Sequence, residues 1–430
     1  MKRYRCMMVF VIFALSSACG PNAEPGPSGE NGGDATPTNT PLPTSTRIPI
    51  PSVTPDLFRN AVLRIVGDEE VVFDWTTDRC ASMHIPDLPV RAFRNAAGQV
   101  LLTISHTTGR LAVGPDLNTL TFDCTPINIS HHQADPAMFS DNEWIAAPYT
   151  EDGITVYALV HNEYQGHVHP GQCPSGDYFS CWYNTVTLAV SHDGGLSFEL
   201  AAEAPDHLVA SMPNVYEPDS GPYGMFSPSN IIQHEDGYYY SFLKAQQVDT
   251  QEQWACLMRT DNLADPASWR YWDGSGFDGQ FVNPYTTEIA QPSANTCKAL
   301  DPNGTAAAIM IESVTYNTYL ERYVLVGISA DHIDGREVWG CDYSCSHDLI
   351  HWTRRKLLVE MPLPWTVAHH TNTNYLYPAL LDPESISMNF DTTGKTAYLY
   401  YTRNNFGHGS LDRDLIRVQV EFFASATEAP

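Results

Sequence analysis

The chain has 430 residues, 17% of them charged, with 50 Asp and Glu against 23 Lys and Arg and a formal net charge of −27. That imbalance repels phosphate backbones and anionic lipid headgroups, which argues against nucleic acid as a partner. No P-loop, dinucleotide fingerprint, Gly-x-Ser-x-Gly elbow or HExxH motif occurs, and no cofactor is expected.

In chain order, Lys2, Arg3 and Arg5 precede the apolar run Met7 to Leu15, which reads as an export signal too short to span a bilayer. Ser16-Ser17-Ala18-Cys19-Gly20 resembles the end of a bacterial lipoprotein signal, with Cys19 as the lipidated residue. That pattern prefers Leu three residues before the Cys, where Ser16 stands, so simple secretion is the alternative. The expected organisation is a signal peptide over 1–19, a disordered Pro/Thr/Ser-rich linker over 20–55 and one folded domain over 56–430. The linker has almost nothing apolar to bury, so it cannot offset its ordering entropy. An exported monomer at the cell surface or in the periplasm, touching the membrane only through its anchor, is the expectation.

Leaving aside Cys6 and Cys19, the cysteines form an even set, as disulfides in an oxidising compartment require. Pairing by sequence neighbours gives Cys80 with Cys124, Cys173 with Cys181, Cys256 with Cys297 and Cys341 with Cys345. Zinc is the competing reading, but no CxxC pair occurs.

Short runs rich in Val, Ile, Tyr, Thr and Leu recur between Gly, Asp, Asn and Pro clusters, at Val100 to Ile104, Thr155 to Val160, Thr185 to Val190, Tyr238 to Leu243, Tyr323 to Ile328, Tyr398 to Tyr401 and Ile416 to Phe422. These are strands and turns. A repeat marker, a polar turn with Asp followed by an aromatic residue, appears at Ser191 to Phe198, at Ser346 to Trp352, from Asp261 to Trp269 and, degenerate, at Gly114 to Leu117. The Asp of such a turn caps backbone N–H groups and is structural. Five units follow, at 87–125, 135–200, 222–275, 305–356 and 374–422, with Val71 to Trp75 lending a strand to the last. The predicted fold class is all-β, a five-bladed β-propeller.

The turn Ser346 to Trp352 is similar to the Ser-x-Asp-Leu-x-x-Trp turn of the five-bladed furanosidase-type glycosidases, families 43, 32 and 68 and their relatives. Asp261 to Trp272 resembles their outer strands, and Ser191 to Phe198 resembles the Asp box of sialidases. The resemblance implies a carbohydrate ligand at the axis and a catalytic base at Asp87, which opens the first blade. It also implies an acid where Tyr149 follows Trp144-Ile145-Ala146-Ala147-Pro148, and a proton-donating Glu where Met225-Phe226-Ser227-Pro228 stands. Neither acid is there.

From the residues themselves, innermost strands of a propeller line one funnel, so acids at their starts are the candidates for paired-carboxylate glycoside cleavage. Asp87 is expected to be held ionised by Arg91. Glu312, after three apolar residues, and Glu163, in the polar run His161-Asn162-Glu163-Tyr164-Gln165-Gly166-His167, are the candidate proton donors. Arg91, His161, Asn162, His167, Tyr149, Tyr316, Asn317, Asp382 and Arg403 are the candidate substrate-binding residues. No metal ligand is assigned. Of divalent ions, calcium at the axis is expected ahead of zinc, with His131-His132, His169 and His369-His370 the nearby imidazoles. Two other readings stay open: a propeller that only binds carbohydrate or protein, and a lyase in which His161 or His167 acts with Tyr164 on a uronate held by Arg91.

Overall fold

The computed structural model describes residues 61–425 apart from 302, 368–371 and 408. The signal peptide with Cys19, the linker over 20–55 and His369-His370 lie outside the described residues.

β1 (Val62–Phe73) opens the described chain, and the strands after it form four hydrogen-bonded sheets that group in chain order into five mainly antiparallel units, the second and third sharing one sheet through a parallel pairing of Tyr223 and Gly224 with Tyr183 and Asn184. The first holds β2 (Ala92–Arg94), β3 (Val100–Ile104), β4 (Thr108–Asp116) and β5 (Thr119–Ile129). β6 (Asn142–Thr150), β7 (Val156–Gln165) and β8 (Trp182–Ser191) make the second, with the short β9 (Glu199–Leu200) and β10 (Leu208–Ala210) both paired to β8. In the third, β11 (Tyr223–Phe226) and β12 (Ile232–Gln233) pair with β13 (Tyr239–Gln246), followed by β14 (Gln253–Thr260), β15 (Arg270–Tyr271) and β16 (Gly279–Gln280). The fourth is β17 (Ser313–Asn317), β18 (Arg322–Ile333), β19 (Arg336–Ser346) and β20 (Lys356–Glu360). The fifth has β21 (Asn374–Leu381), then β22 (Thr392–Thr393), which crosses to pair with β17, then β23 (Thr396–Asn404) and β24 (Arg413–Phe423). β1 lies antiparallel to β24 as the outermost strand of this unit, so the start of the chain completes its end. The lent strand ends at Phe73, and Trp75 already begins a one-turn helix.

Five apolar cores lie between successive units, because each sheet buries both faces against its neighbours. Phe93, Leu101, Ile145 and Val160 join the first to the second. Leu159, Val186, Leu243 and Met258 join the second to the third, and Phe242, Leu257, Val314 and Leu325 the third to the fourth. Val324, Cys341, Leu380 and Leu399 join the fourth to the fifth. Val90, Val100, Leu381 and Tyr400 join the fifth to the first. Polar contacts follow the same circuit, from Ser105 Oγ donating to the Ile145 carbonyl at 2.7 Å to Thr402 Oγ1 donating to the Pro86 carbonyl at 3.0 Å. The fold is a five-bladed all-β propeller.

The repeated Asp turns behave as caps. Asp193 Oδ1 accepts from the N–H groups of Leu196 and Ser197, both at 3.0 Å, and Asp348 Oδ1 from Ile350 and His351 at 3.0 and 2.8 Å. In the third marker the capping falls to Asn262 and Asp265, each accepting from the N–H two residues on. Gly195, at φ +91°, lets the Asp193 turn lie against the Phe93 ring, where a Cβ would collide.

Cys80–Cys124, Cys173–Cys181 and Cys256–Cys297 are disulfide-bonded. The fourth expected pair is corrected. Cys341 and Cys345 lie four residues apart on β19, and an extended strand of that length separates their Cα atoms by about 13 Å, beyond disulfide reach.

Candidate functional site

Asp87 sits just before β2, its N–H donating to the Ser105 carbonyl at 3.1 Å. Its carboxylate is ion-paired with Arg413, the first residue of β24, and lies 3.8 Å from His106 Nε2. The Tyr377 hydroxyl donates to Asp87 Oδ1 at 3.4 Å. Tyr377 reaches that point because β21 breaks register between Leu376 and Ala379 and Tyr377 adopts φ +60°, a bulge that re-aims the side chain.

The expected Asp87–Arg91 pairing is corrected. The buried Arg91 guanidinium donates to the carbonyls of Ala146 at 3.2 Å and Glu312 at 2.6 Å, tying the first unit to the second and the fourth. Burial lowers its pKa and the nearby Glu312 charge raises it back in part. A side chain that touches both the neighbouring second unit and the non-adjacent fourth unit lies near the centre of the five units.

On β7 the alternation of a strand puts His161, Glu163 and Gln165 on one face and Asn162 and Tyr164 on the other. Glu163 Oε1 is 2.9 Å from His161 Nε2, and its Oε2 accepts from Gln165 Nε2 at 2.9 Å. Asp87 and Glu163 come from different units, yet both charges act on the hydroxyls of Tyr377 and Tyr178. Burial first, then these carboxylates, push both phenols well above the usual tyrosine range. The two acids therefore lie near the same two phenols.

A chain of ring contacts runs beside these acids. The His106 and Trp144 rings lie 5.7 Å apart, Trp144 and His161 5.7 Å, and His161 stacks on Phe226 at 6.5 Å. Phe226 meets Trp182 at 5.7 Å, Trp182 meets Tyr178 at 5.4 Å, and Tyr178 meets His167 at 5.1 Å. Lys244 Nζ sits 4.4 Å above the Phe226 ring and is charge-coupled to Glu312. Burial raises the Glu312 pKa, while backbone N–H donors, Ile311 among them at 3.0 Å, and Lys244 pull it back. All five units contribute to this circuit.

Five buried polar atoms here have no partner: Trp144 Nε1, His161 Nδ1, Gln165 Oε1, His167 Nδ1 and Trp182 Nε1. His161 is 3% and Gln165 5% exposed, and buried polar groups ordinarily find partners. Such a cluster leaves donors and acceptors for a polar ligand.

The other predicted binding residues are placed elsewhere, each for a visible reason. Asn162 points across β7 and donates to Thr185 Oγ1 at 2.9 Å. Tyr149 ends β6 at the opposite rim, beside Asp391 and Tyr239. Tyr316 packs on Tyr323 at 5.2 Å. Asn317 is a turn cap, donating to the Gly394 carbonyl at 2.6 Å and accepting from Leu320 N–H at 2.7 Å. Asp382 caps the N–H groups of Glu384 and Gly394 at 2.9 and 2.8 Å. Arg403 is held in the outer part of the fifth unit by Asp414 at 3.0 Å and Glu69 at 3.2 Å. His169 pairs with Asp141 at 3.0 Å, and His131 with Glu143 at 2.6 Å.

The lyase arrangement fails on two points. Tyr164 faces away from Glu163, its hydroxyl donating to the Ala134 carbonyl at 2.8 Å, and Arg91 is engaged by carbonyls. Among the described residues, the trio close enough to share a metal is Cys173, Cys181 and Asp219, whose two sulfurs are bonded to each other and offer no thiolate.

Sequence reasoning missed Arg413, Tyr377, Tyr178, His106, Lys244 and Phe226. Only Phe226 carried a signal, as the residue standing before Ser-Pro where the resemblance implied an acid.

No family model matches the chain, and no curated protein matches it. Among solved structures it is similar to a family 117 glycoside hydrolase produced by the marine bacterium Zobellia galactanivorans, at 12% identity over 86% of this chain and 92% of that one, with a TM-score of 0.42. It is similar to the alpha-L-arabinanase of Cellvibrio cellulosa complexed with arabinohexaose, at 9% identity over 74% and 87%, TM-score 0.41. A third likeness is to the Bombyx mori GH32 beta-fructofuranosidase, at 10% identity over 77% of this chain and 60% of that one, TM-score 0.42. These three solved structures are glycoside hydrolases, and the five-unit arrangement rests on the strand pairings and the five cores described above.

Proposed function

We propose that the chain is an exported glycoside hydrolase that cleaves a glycan in the axial funnel with Asp87 and Glu312 as its paired carboxyl groups. The observation that carries the reading is the circuit of side chains from all five units around Asp87 and Glu163, with unpartnered polar atoms set in its wall. Sugar hydroxyls are both donors and acceptors, and aromatic faces match their C–H faces, so this lining suits a carbohydrate.

Asp87, paired with Arg413, serves as the ionised carboxylate that activates water or attacks the anomeric carbon. Glu312, with its raised pKa, gives its proton to the glycosidic oxygen as that bond breaks, and water supplies the hydroxyl on the anomeric carbon and the proton that restores the acid. Glu163, bonded to His161 and Gln165, holds the polar face against which the sugar lies. The lipid anchor at Cys19 and the linker over 20–55 belong to the same reading, as the means of holding the enzyme outside the cell.

An activated aryl glycoside tests the assignment, because a good leaving group does not need the acid. Glu312→Gln should lose at least about 100-fold on an unactivated glycan and recover much of that on the aryl substrate. Asp87→Asn should not recover. Equal losses on both substrates for Glu312→Gln would remove Glu312 as the proton donor.

A further inference from the structure

Among the described residues, Lys244 is a cation without an ion-pair partner. It lies on β13 opposite Phe226, the last residue of β11, and its half-buried side chain runs over the Phe226 ring with Nζ 4.4 Å from the centroid. Among the described residues no acceptor lies within hydrogen-bond distance of that ammonium and no carboxylate within ion-pair distance, although a Lys offers three N–H donors. Its one charge neighbour is Glu312, beyond ion-pair distance, whose own oxygen is already taken by the Ile311 N–H. The ammonium therefore has the Phe226 ring face and solvent about it, and a ring face gives a cation only modest stabilisation at a partly exposed site.

The contrast within the same circuit is informative. Arg413 is neutralised by Asp87, and Arg91 has its N–H groups satisfied by backbone carbonyls. Glu163 is satisfied by His161 and Gln165. Lys244 alone of these charged groups has no hydrogen-bond or ion-pair partner among the described residues, and its ammonium sits where the Phe226 ring meets His161 and Trp182.

We infer that Lys244 anchors an anionic substituent of the glycan, a uronate carboxylate or a sulfate ester, so that the substrate is an acidic saccharide. The inference rests on the reading of the axial funnel as a glycan site. A single anion per sugar unit is compatible with the chain's charge of −27, because a contact at Lys244 is direct, whereas the field of the distant charges is screened beyond a Debye length. The contact would be a charge-assisted hydrogen bond away from bulk water, which is the strong kind.

The test measures binding of three oligosaccharides of equal length, one neutral, one containing uronic acid and one sulfated, to the wild-type protein, Lys244→Met and Lys244→Arg. The Met variant keeps an apolar chain over Phe226 and removes the charge, and circular dichroism checks its fold. The expected result is at least 10-fold preference of the wild type for one of the acidic saccharides. That preference should be lost in Lys244→Met, largely kept in Lys244→Arg, and weakened by salt in the wild type. The uronate and sulfate arms identify the anion. A wild type that binds the neutral saccharide as well as the acidic ones, or a Lys244→Met loss equal for all three, overturns the inference and leaves the glycan reading standing. Failure of any saccharide to bind overturns both. If Lys244→Met does not fold, the wild-type preference and its salt dependence alone decide.

Discussion

The Asp87 carboxylate and the Arg413 guanidinium, 326 residues apart in the sequence, form an ion pair at the axis. Asp87 precedes β2 of the first unit and Arg413 begins β24 of the fifth, so the pair ties the fifth unit to the first. Both side chains are mostly buried, and removing one partner leaves the other charge without compensation. Arg413→Met is expected to lower stability by about 3 kcal/mol, and Asp87→Asn combined with it by less than the sum of the single changes, read from chemical denaturation. Additive losses would show that the two side chains do not interact.

Asp342, on β19, is 1% exposed and neither of its carboxylate oxygens has a hydrogen-bond partner. Burial pushes its pKa up to about 6 from an ordinary 3.8, with Arg355 opposing and Asp331 adding to the shift. A carboxyl whose folded pKa is raised favours the folded chain below its unfolded value, and that contribution is lost as pH rises through the folded value. The wild type should lose stability between about pH 4 and pH 6 through this group. Asp342→Asn should be more stable than wild type at pH 7, by on the order of 3 kcal/mol at most, and level with it at pH 4. Parallel pH–stability curves for the two proteins would contradict this.

The Asp193 turn is structural. Asp193→Ala removes two backbone caps from the Ser191 to Phe198 turn and should cost about 1–2 kcal/mol. Turnover of any glycan substrate should be unchanged at a temperature where both proteins are folded. A loss of turnover without a loss of stability would give that Asp a functional role.

The Cys173–Cys181 disulfide closes the segment that holds Tyr178 against Trp182 and His167. Tyr178 joins the exposed edge of the pocket to its interior, where its hydroxyl feels Glu163 and Asp87. Replacing both cysteines by Ser should raise KM by about 3- to 10-fold with little change in kcat, since the loop then loses entropy on binding. A fall in kcat at constant KM would place the loop's effect on the chemical step instead.

Strand-level architecture was legible because it is local. Val100 to Ile104 is β3 as read, and the unit expected over 374–422 matches strands running from Asn374 to Phe423. The strand expected around Val71 to Trp75 for the last unit is the end of β1, which pairs with β24 up to Phe73. The site was half legible. Asp87, Glu163 and His161 stood out as polar groups beside apolar strands, whereas Arg91 was given to Asp87 because strand spacing says nothing of which carbonyls lie across the axis. Arg413, Lys244 and Tyr377 were illegible for the same reason: their roles come from contacts between units, and for Tyr377 from a bulge that no residue pattern announces. Cys341 and Cys345 show the converse error, in which nearness in sequence stood in for nearness in space.

The most direct measurement of the central claim is release of reducing ends from a panel of glycans by the wild-type protein and by Asp87→Asn, both shown to be folded. The account predicts turnover of at least one glycan by the wild type and a loss of at least about 1,000-fold in the variant. Undiminished turnover in Asp87→Asn, or glycan binding by the wild type that never yields a reducing end, would contradict it.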